Sequence, residues 1–343
     1  MRAETVLTEA KNVLMFARAG QPRPSSEPSR PMDSYWHRTR TDFQPHVDDF
    51  HRNFFGDERF DWTRDVRQGL KKSLDALSPE GLTRLATVAL PVTSYPEELQ
   101  AQFRRHGLPQ DADALAAMKT AIADRQFQAL VDITNHALGT EQMSVAPLTT
   151  AVRTYKHDPT IQHAMTAFIN DEAKHAHLFE RYMREKLGGE VVLSKSVEQR
   201  FDGLGLVSSR MPAVGVFSVL AVEAIGGAFF DFFGRHCSEP LFRDLCKTIY
   251  EWDEQRHMRI CQDLYNEKWR RLNRWERFRN NRNMQIMVSQ LYKEHQQPDH
   301  YLMQACQAFG QPPDALMRHV DANLKQAFQA IGVDFIDLAP PAG

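Results

Sequence analysis

The segments Asp171-Glu172-Ala173-Lys174-His175 and Asp253-Glu254-Gln255-Arg256-His257 decide how this chain is read, because Glu-x-x-His occurs nowhere else in it. Each has a further glutamate 31 residues upstream, Glu141 for the first and Glu223 for the second, so the half-motif recurs at an offset of 82. Positions i and i+3 share one face of a helix, so each Glu and His can turn toward the same point. A lone Glu-x-x-His is expected by chance about once in a chain of this length and ordinary composition. Chance does not explain two of them with matched upstream glutamates. Four carboxylates and two imidazoles converging inside a helical bundle are the ligand set of a di-iron or di-manganese site.

Periodicity places the upstream glutamates on faces that should be buried. Phe127, Leu130, Val131, Thr134, Leu138 and Glu141 follow three- and four-residue steps, as do Val216, Val219, Leu220, Glu223, Gly227 and Phe230. A buried carboxylate is costly unless something compensates it. Two divalent ions would balance four glutamates, with neutral histidines completing the shell. The expected ligands are therefore Glu141, Glu172, His175, Glu223, Glu254 and His257. Asp171 and Asp253 stand four residues before the two histidines. A ligating histidine usually gives its other N–H to a carboxylate. The expectation is a crosswise arrangement, Asp253 holding His175 and Asp171 holding His257.

The rest of the chain reads as helix. Of its 343 residues, 42% are hydrophobic and 25% charged, an ordinary globular balance. Ser78-Pro79, Asp158-Pro159, Met211-Pro212 and Ser238-Glu239-Pro240 are helix starts, and Gly188-Gly189 ends the second. One short β-type run, Glu190 to Leu193, interrupts the pattern. Residues 1–33 read as an N-terminal segment whose Pro-rich stretch, Gln21 to Pro31, is a linker. Residues 34–343 read as one all-α domain, with the ligand-bearing bundle at about 120–265. Val214 to Phe233 is apolar enough to suggest a membrane span, but Glu223 and Asp231 lie within it, and a buried central helix explains it better. Net charge is −2, which favours neither nucleic acid nor membrane. Cys237, Cys246, Cys261 and Cys306 form no Cys-x-x-Cys pair, so a reduced, cytoplasmic protein without a zinc ribbon is expected.

Lys268 to Arg282, KWRRLNRWERFRNNR, carries seven basic residues and three aromatics. It reads as a solvated helix face with tryptophans packed inward, a nucleic-acid contact, or a docking patch for an acidic electron donor such as a ferredoxin. Gly226 and Gly227, one turn beyond Glu223, should leave room beside the metals, and Phe179 should help wall that pocket. His136, His163 and His177 read as ordinary polar or packing positions.

The pattern Glu … Asp-Glu-x-x-His … Glu … Asp-Glu-x-x-His resembles the ferritin-like di-iron carboxylate superfamily over about residues 120–265. Within it, Thr140-Glu141-Gln142, Asp171 to His175 and Val222-Glu223-Ala224 are similar to the ligand segments of the p-aminobenzoate N-oxygenase family. That family has an additional ligating His one turn before the last Glu, where this chain has Tyr250. Tyr250 could ligate, hydrogen-bond or pack, and the charge balance favours a non-ligating role. The resemblance implies a ferritin-like four-helix bundle core with additional N- and C-terminal helices and two iron ions, manganese being the alternative. It implies O2 activation to oxidise a small organic substrate, N-oxygenation of an amine being the reaction it suggests, with electrons from an external donor such as a ferredoxin. A homodimer is an open assembly. The alternatives are a di-iron hydroxylase, desaturase or oxidase acting on a hydrocarbon chain, or a non-enzymatic iron-binding protein.

Overall fold

Proline in the first turn, with a polar side chain capping the backbone ahead of it, starts three of the helices that build the core. Ser78 Oγ accepts from the Gly81 N–H, Asp158 from Ile161 and Glu239 from Phe242. These are three of the starts read from the sequence. The computed structural model describes residues 65–91, 97–190, 212–295 and 300–333, and every regular element among them is helical. The N-terminal segment and linker, and Val191 to Leu193 of the expected β run, lie outside the described residues.

In chain order the elements are α1 (Val66–Asp75), α2 (Pro79–Ala89), α3 (Glu97–His106), α4 (Ala112–Thr154) and α5 (Pro159–Arg181). A π-helical turn, Tyr182–Leu187, closes α5 and ends at Gly188, whose φ of +63° needs glycine. Then follow α6 (Pro212–His236), α7 (Pro240–Ile249), a second π-helical turn (Tyr250–Glu254) and α8 (Gln255–Arg271). The chain closes with α9 (Arg274–His295), α10 (Tyr301–Ala308) and α11 (Ala315–Ala330). The residues at both joints of the second π turn stay in right-handed helical geometry, so α7 and α8 are one continuous rod.

α4 packs along α5, and α6 packs against α7 and α8, with α4 also meeting α6. The apolar length of α6 serves this interior position. Val219, Leu220, Ala221, Ala224, Ala228, Phe229, Phe230 and Phe233 are all buried. No helix among the described residues is long and apolar enough to cross a membrane. The C-terminal helices brace the outside: Asn323 on α11 donates to the Ala224 carbonyl at 2.8 Å, and Gln126 on α4 donates to the Ala308 carbonyl at 3.1 Å. Four helical stretches thus carry Glu141, Glu172 with His175, Glu223, and Glu254 with His257 into the interior.

Candidate metal centre

All six expected ligands are buried, with both histidines fully closed to solvent. They form two groups, Glu141–Glu172–His175–Glu254 and Glu172–Glu223–Glu254–His257, in each of which four donor atoms lie within 4.8 Å of one another. Glu172 and Glu254 belong to both groups. Donor atoms each about 2.1 Å from one ion at right angles stand about 3 Å apart. His175 Nδ1 lies 3.1 Å from Glu141 Oε2, and His257 Nδ1 lies 3.2 Å from Glu223 Oε2 and 3.4 Å from Glu172 Oε1. Glu254 Oε1 is 3.9 Å from Nδ1 of each histidine.

The aspartates cross as expected. His175 Nε2 meets Asp253 Oδ2 at 3.0 Å, and His257 Nε2 meets Asp171 Oδ2 at 3.3 Å. Each aspartate therefore draws the imidazole proton to Nε2, leaving the Nδ1 lone pair facing the carboxylates. Burial alone would raise both aspartates. For Asp171, the His257 hydrogen bond and the Arg256 charge outweigh it; for Asp253, the His175 hydrogen bond and charge, then Arg256, do the same. Both carboxyls end below their ordinary range and stay ionised.

Two cations complete this outer layer. Arg256 lies between the aspartates, 2.5 Å from Asp171 and 2.6 Å from Asp253, and Lys174 Nζ is 2.5 Å from Asp171 Oδ1. Two buried anions thus face two buried cations, as buried ion pairs require. The sequence reading missed this pair, although a signal was present: Lys174 and Arg256 are themselves 82 residues apart. Ser144 was missed too. Its hydroxyl donates to Glu172 Oε2 at 3.0 Å, but the position 82 residues on is Gly226, so the repeat does not announce it.

The inner layer is made of carboxyls and imidazoles. Burial, followed by the mutual repulsion of neighbouring glutamates, pushes Glu141, Glu223 and Glu254 well above the ordinary carboxyl range. That shift favours the protonated form, and a hydroxyl on Glu141 or Glu223 is placed to donate to Nδ1 of the adjacent histidine. A divalent ion would take the place of those protons. Glu172 Oε1 is buried without a hydrogen-bond partner among the described residues. An orphaned carboxylate oxygen facing histidine lone pairs fits a metal ligand.

The surroundings differ on the two sides. The Phe168 ring stacks on His257 with centroids 3.7 Å apart, closing that side with hydrocarbon. A Cβ on Gly227 would meet the Tyr250 ring at 3.5 Å and Glu254 Cβ at 3.6 Å, and one on Gly226 would stand 3.7 Å from Glu254 Oε2. The glycines let the α6 backbone approach Tyr250 and Glu254 closely, and the Tyr250 ring fills the space beside Gly227. Tyr250 is half-buried, and burial, then the Asp231 charge, raises its phenol, while Arg235 and a hydrogen bond with Gln255 oppose the rise. Phe179 packs in parallel with Phe230, centroids 5.8 Å apart, within the apolar core. His163 and His177 are exposed, and His136 hydrogen-bonds with Tyr301. The four cysteines are buried and free. Compared with known protein families, curated proteins and solved structures, the chain shows no match.

Proposed function

We propose that this protein is a non-haem di-iron oxygenase of ferritin-like architecture that activates O2 to oxidise a small organic substrate, with an amine undergoing N-oxygenation as the favoured case. The single observation that carries this reading is the pair of buried four-donor groups sharing Glu172 and Glu254. In it, Glu141, Glu172, His175 and Glu254 would hold one ion and Glu172, Glu223, Glu254 and His257 the other, with Glu172 and Glu254 shared. Oxygen- and imidazole-rich sites of this kind suit iron, with manganese as the competing metal. When bound in the reduced state, an iron pair supplies the electrons that convert O2 into an oxidant.

The chain's own residues prepare the site in three ways. Asp171 and Asp253 hold the imidazole protons on Nε2, so both Nδ1 atoms remain available as donors. Lys174 and Arg256 keep these aspartates ionised without adding charge to the inner layer. Phe168 covers the His257 side with hydrocarbon and keeps water from it. The half-buried Tyr250 lies over Gly227, so we place substrate approach on that side.

The test is to load the full chain with ferrous iron without oxygen, add a reductant and a panel of aryl and alkyl amines, and admit isotopically labelled O2. Labelled N-oxygenated product supports the reading. Labelled carbon-hydroxylated or desaturated product from fatty chains would favour the hydrocarbon reading, and iron uptake without any O2-dependent product would favour an iron-binding role.

A further inference from the structure

Large apolar side chains seldom lie open to water, and here Trp275 is 69% exposed and Phe278 58%. They sit one turn apart on α9 and stack on each other, centroids 5.6 Å apart. The sequence reading that packs every tryptophan of this segment inward is corrected by this. Trp269 does pack inward, but Trp275 faces out. An exposed aromatic pair ringed by charge is the composition of a protein-interface centre and rim.

The charge around the pair is positive and available. Glu267 to Arg282 holds seven basic and two acidic residues, in a chain whose net charge is −2. Both acids are engaged locally: Glu267 pairs with Arg271 at 2.6 Å, and Glu276 forms a reciprocal capping box with Asn273 at 2.9 Å. Arg270, Arg274 and Arg282 are exposed. Arg282 extends the helix face of Trp275 and Phe278, and Arg274 lies one turn before Phe278 on it.

This surface adjoins a line of residues leading to the metal centre. Arg277 donates to the Trp269 and Arg270 carbonyls at 3.1 and 3.2 Å, fixing the elbow between α8 and α9. Trp269 stacks on the fully buried Tyr265, centroids 5.2 Å apart. His257, Cys261, Tyr265 and Trp269 recur every fourth residue and share one face of α8.

We propose that Trp275 and Phe278, rimmed by Arg270, Arg274 and Arg282, dock an acidic one-electron carrier protein, with Tyr265 and Trp269 between that surface and His257. The inference rests on the oxygenase reading. Each carrier loses one electron and one ferric ion becomes ferrous, with no bond made or broken in the chain. A compact aromatic centre with an arginine rim fits a protein partner; nucleic acid or an anionic membrane would call for a longer basic stripe.

The experiment titrates the full iron-loaded chain with an acidic plant-type ferredoxin, reading binding by surface plasmon resonance and iron reduction by optical spectroscopy. Binding should weaken as salt rises. Arg270→Glu with Arg274→Glu, and separately Trp275→Ala, should each weaken it about 10-fold or more and slow ferredoxin-driven reduction in proportion. Reduction by dithionite should be unchanged in every variant. Undiminished ferredoxin binding in these variants would overturn the proposal, as would tighter binding of phosphatidylserine vesicles or duplex RNA to the same patch. Salt-sensitive ferredoxin binding at this patch by a chain holding no dithionite-reducible iron would support the surface and defeat the oxygenase reading.

Discussion

The two half-sites match in their buried glutamates, aspartates, histidines and cations and differ in residues packed around them. The offset of 82 carries Glu141 onto Glu223, Asp171 onto Asp253, Glu172 onto Glu254, Lys174 onto Arg256 and His175 onto His257. It also carries Ser144 onto Gly226 and Phe168 onto Tyr250. The first half-motif lies on the regular helix α5, whereas the second is entered through the π turn Tyr250–Glu254. Such turns are frequent at functional sites because the extra residue re-aims the side chains around it. The difference separates two tasks. Charge balance is symmetric, so both halves can hold a metal. The surroundings are asymmetric, with a fully buried phenylalanine on one side and a half-buried tyrosine over glycine on the other.

The strongest way to break this comparison is to remove a ligand. Glu172→Ala or Glu254→Ala should abolish binding of both ions, because each residue belongs to both groups. Glu141→Ala or Glu223→Ala should spare the opposite ion. Elemental analysis of loaded protein decides this, and equal losses from all four variants would show that the site is not paired. Next in size is the outer layer. Arg256→Met strands two buried aspartates and should destabilise the fold by about 3–5 kcal/mol. Lys174→Met, which touches one, should cost less, as chemical denaturation would show. Asp171→Ala and Asp253→Ala should each weaken metal affinity by about 10- to 100-fold, and markedly unequal effects would show that the outer layer is less symmetric than its geometry.

The acid–base behaviour offers a further test. The raised carboxyls of Glu141, Glu223 and Glu254 mean that the metal-free fold keeps protons that the unfolded chain releases above its ordinary value of 4.5. Their contribution to stability is fully present below that pH and is lost as pH rises through the raised values. The melting temperature of metal-free protein should therefore fall from mildly acidic to mildly alkaline pH. Divalent metal should flatten the profile, because it replaces the protons. The smallest effect belongs to Tyr250→Phe, which should keep both metals. The oxidised wild-type protein should show no visible phenolate-to-iron band; finding one would make Tyr250 a ligand and the asymmetry far deeper.

The sequence showed the symmetric part plainly, because charged residues on buried faces are costly and a repeated spacing of them is hard to obtain by chance. The helix starts at Pro79, Pro159 and Pro240, the burial of the four glutamates and two histidines, and the crossed aspartates were legible for this reason. The cations were legible in principle, but Lys and Arg on a helix are ordinary, and only the fold shows that Lys174 and Arg256 turn inward. The π turns could not be read, since one extra residue in a turn leaves no compositional mark. The placing of the Tyr250 ring beside Gly227 could not be read either, since it depends on tertiary packing between two helices.

The most direct test of the central claim is the Mössbauer spectrum of the full chain loaded with isotopically enriched ferrous iron without oxygen, recorded before and after O2. The spectrum should show about two irons per chain, high-spin ferrous at first and then a spin-coupled diferric pair. One iron per chain, or two ferric ions with no magnetic coupling, would contradict the claim.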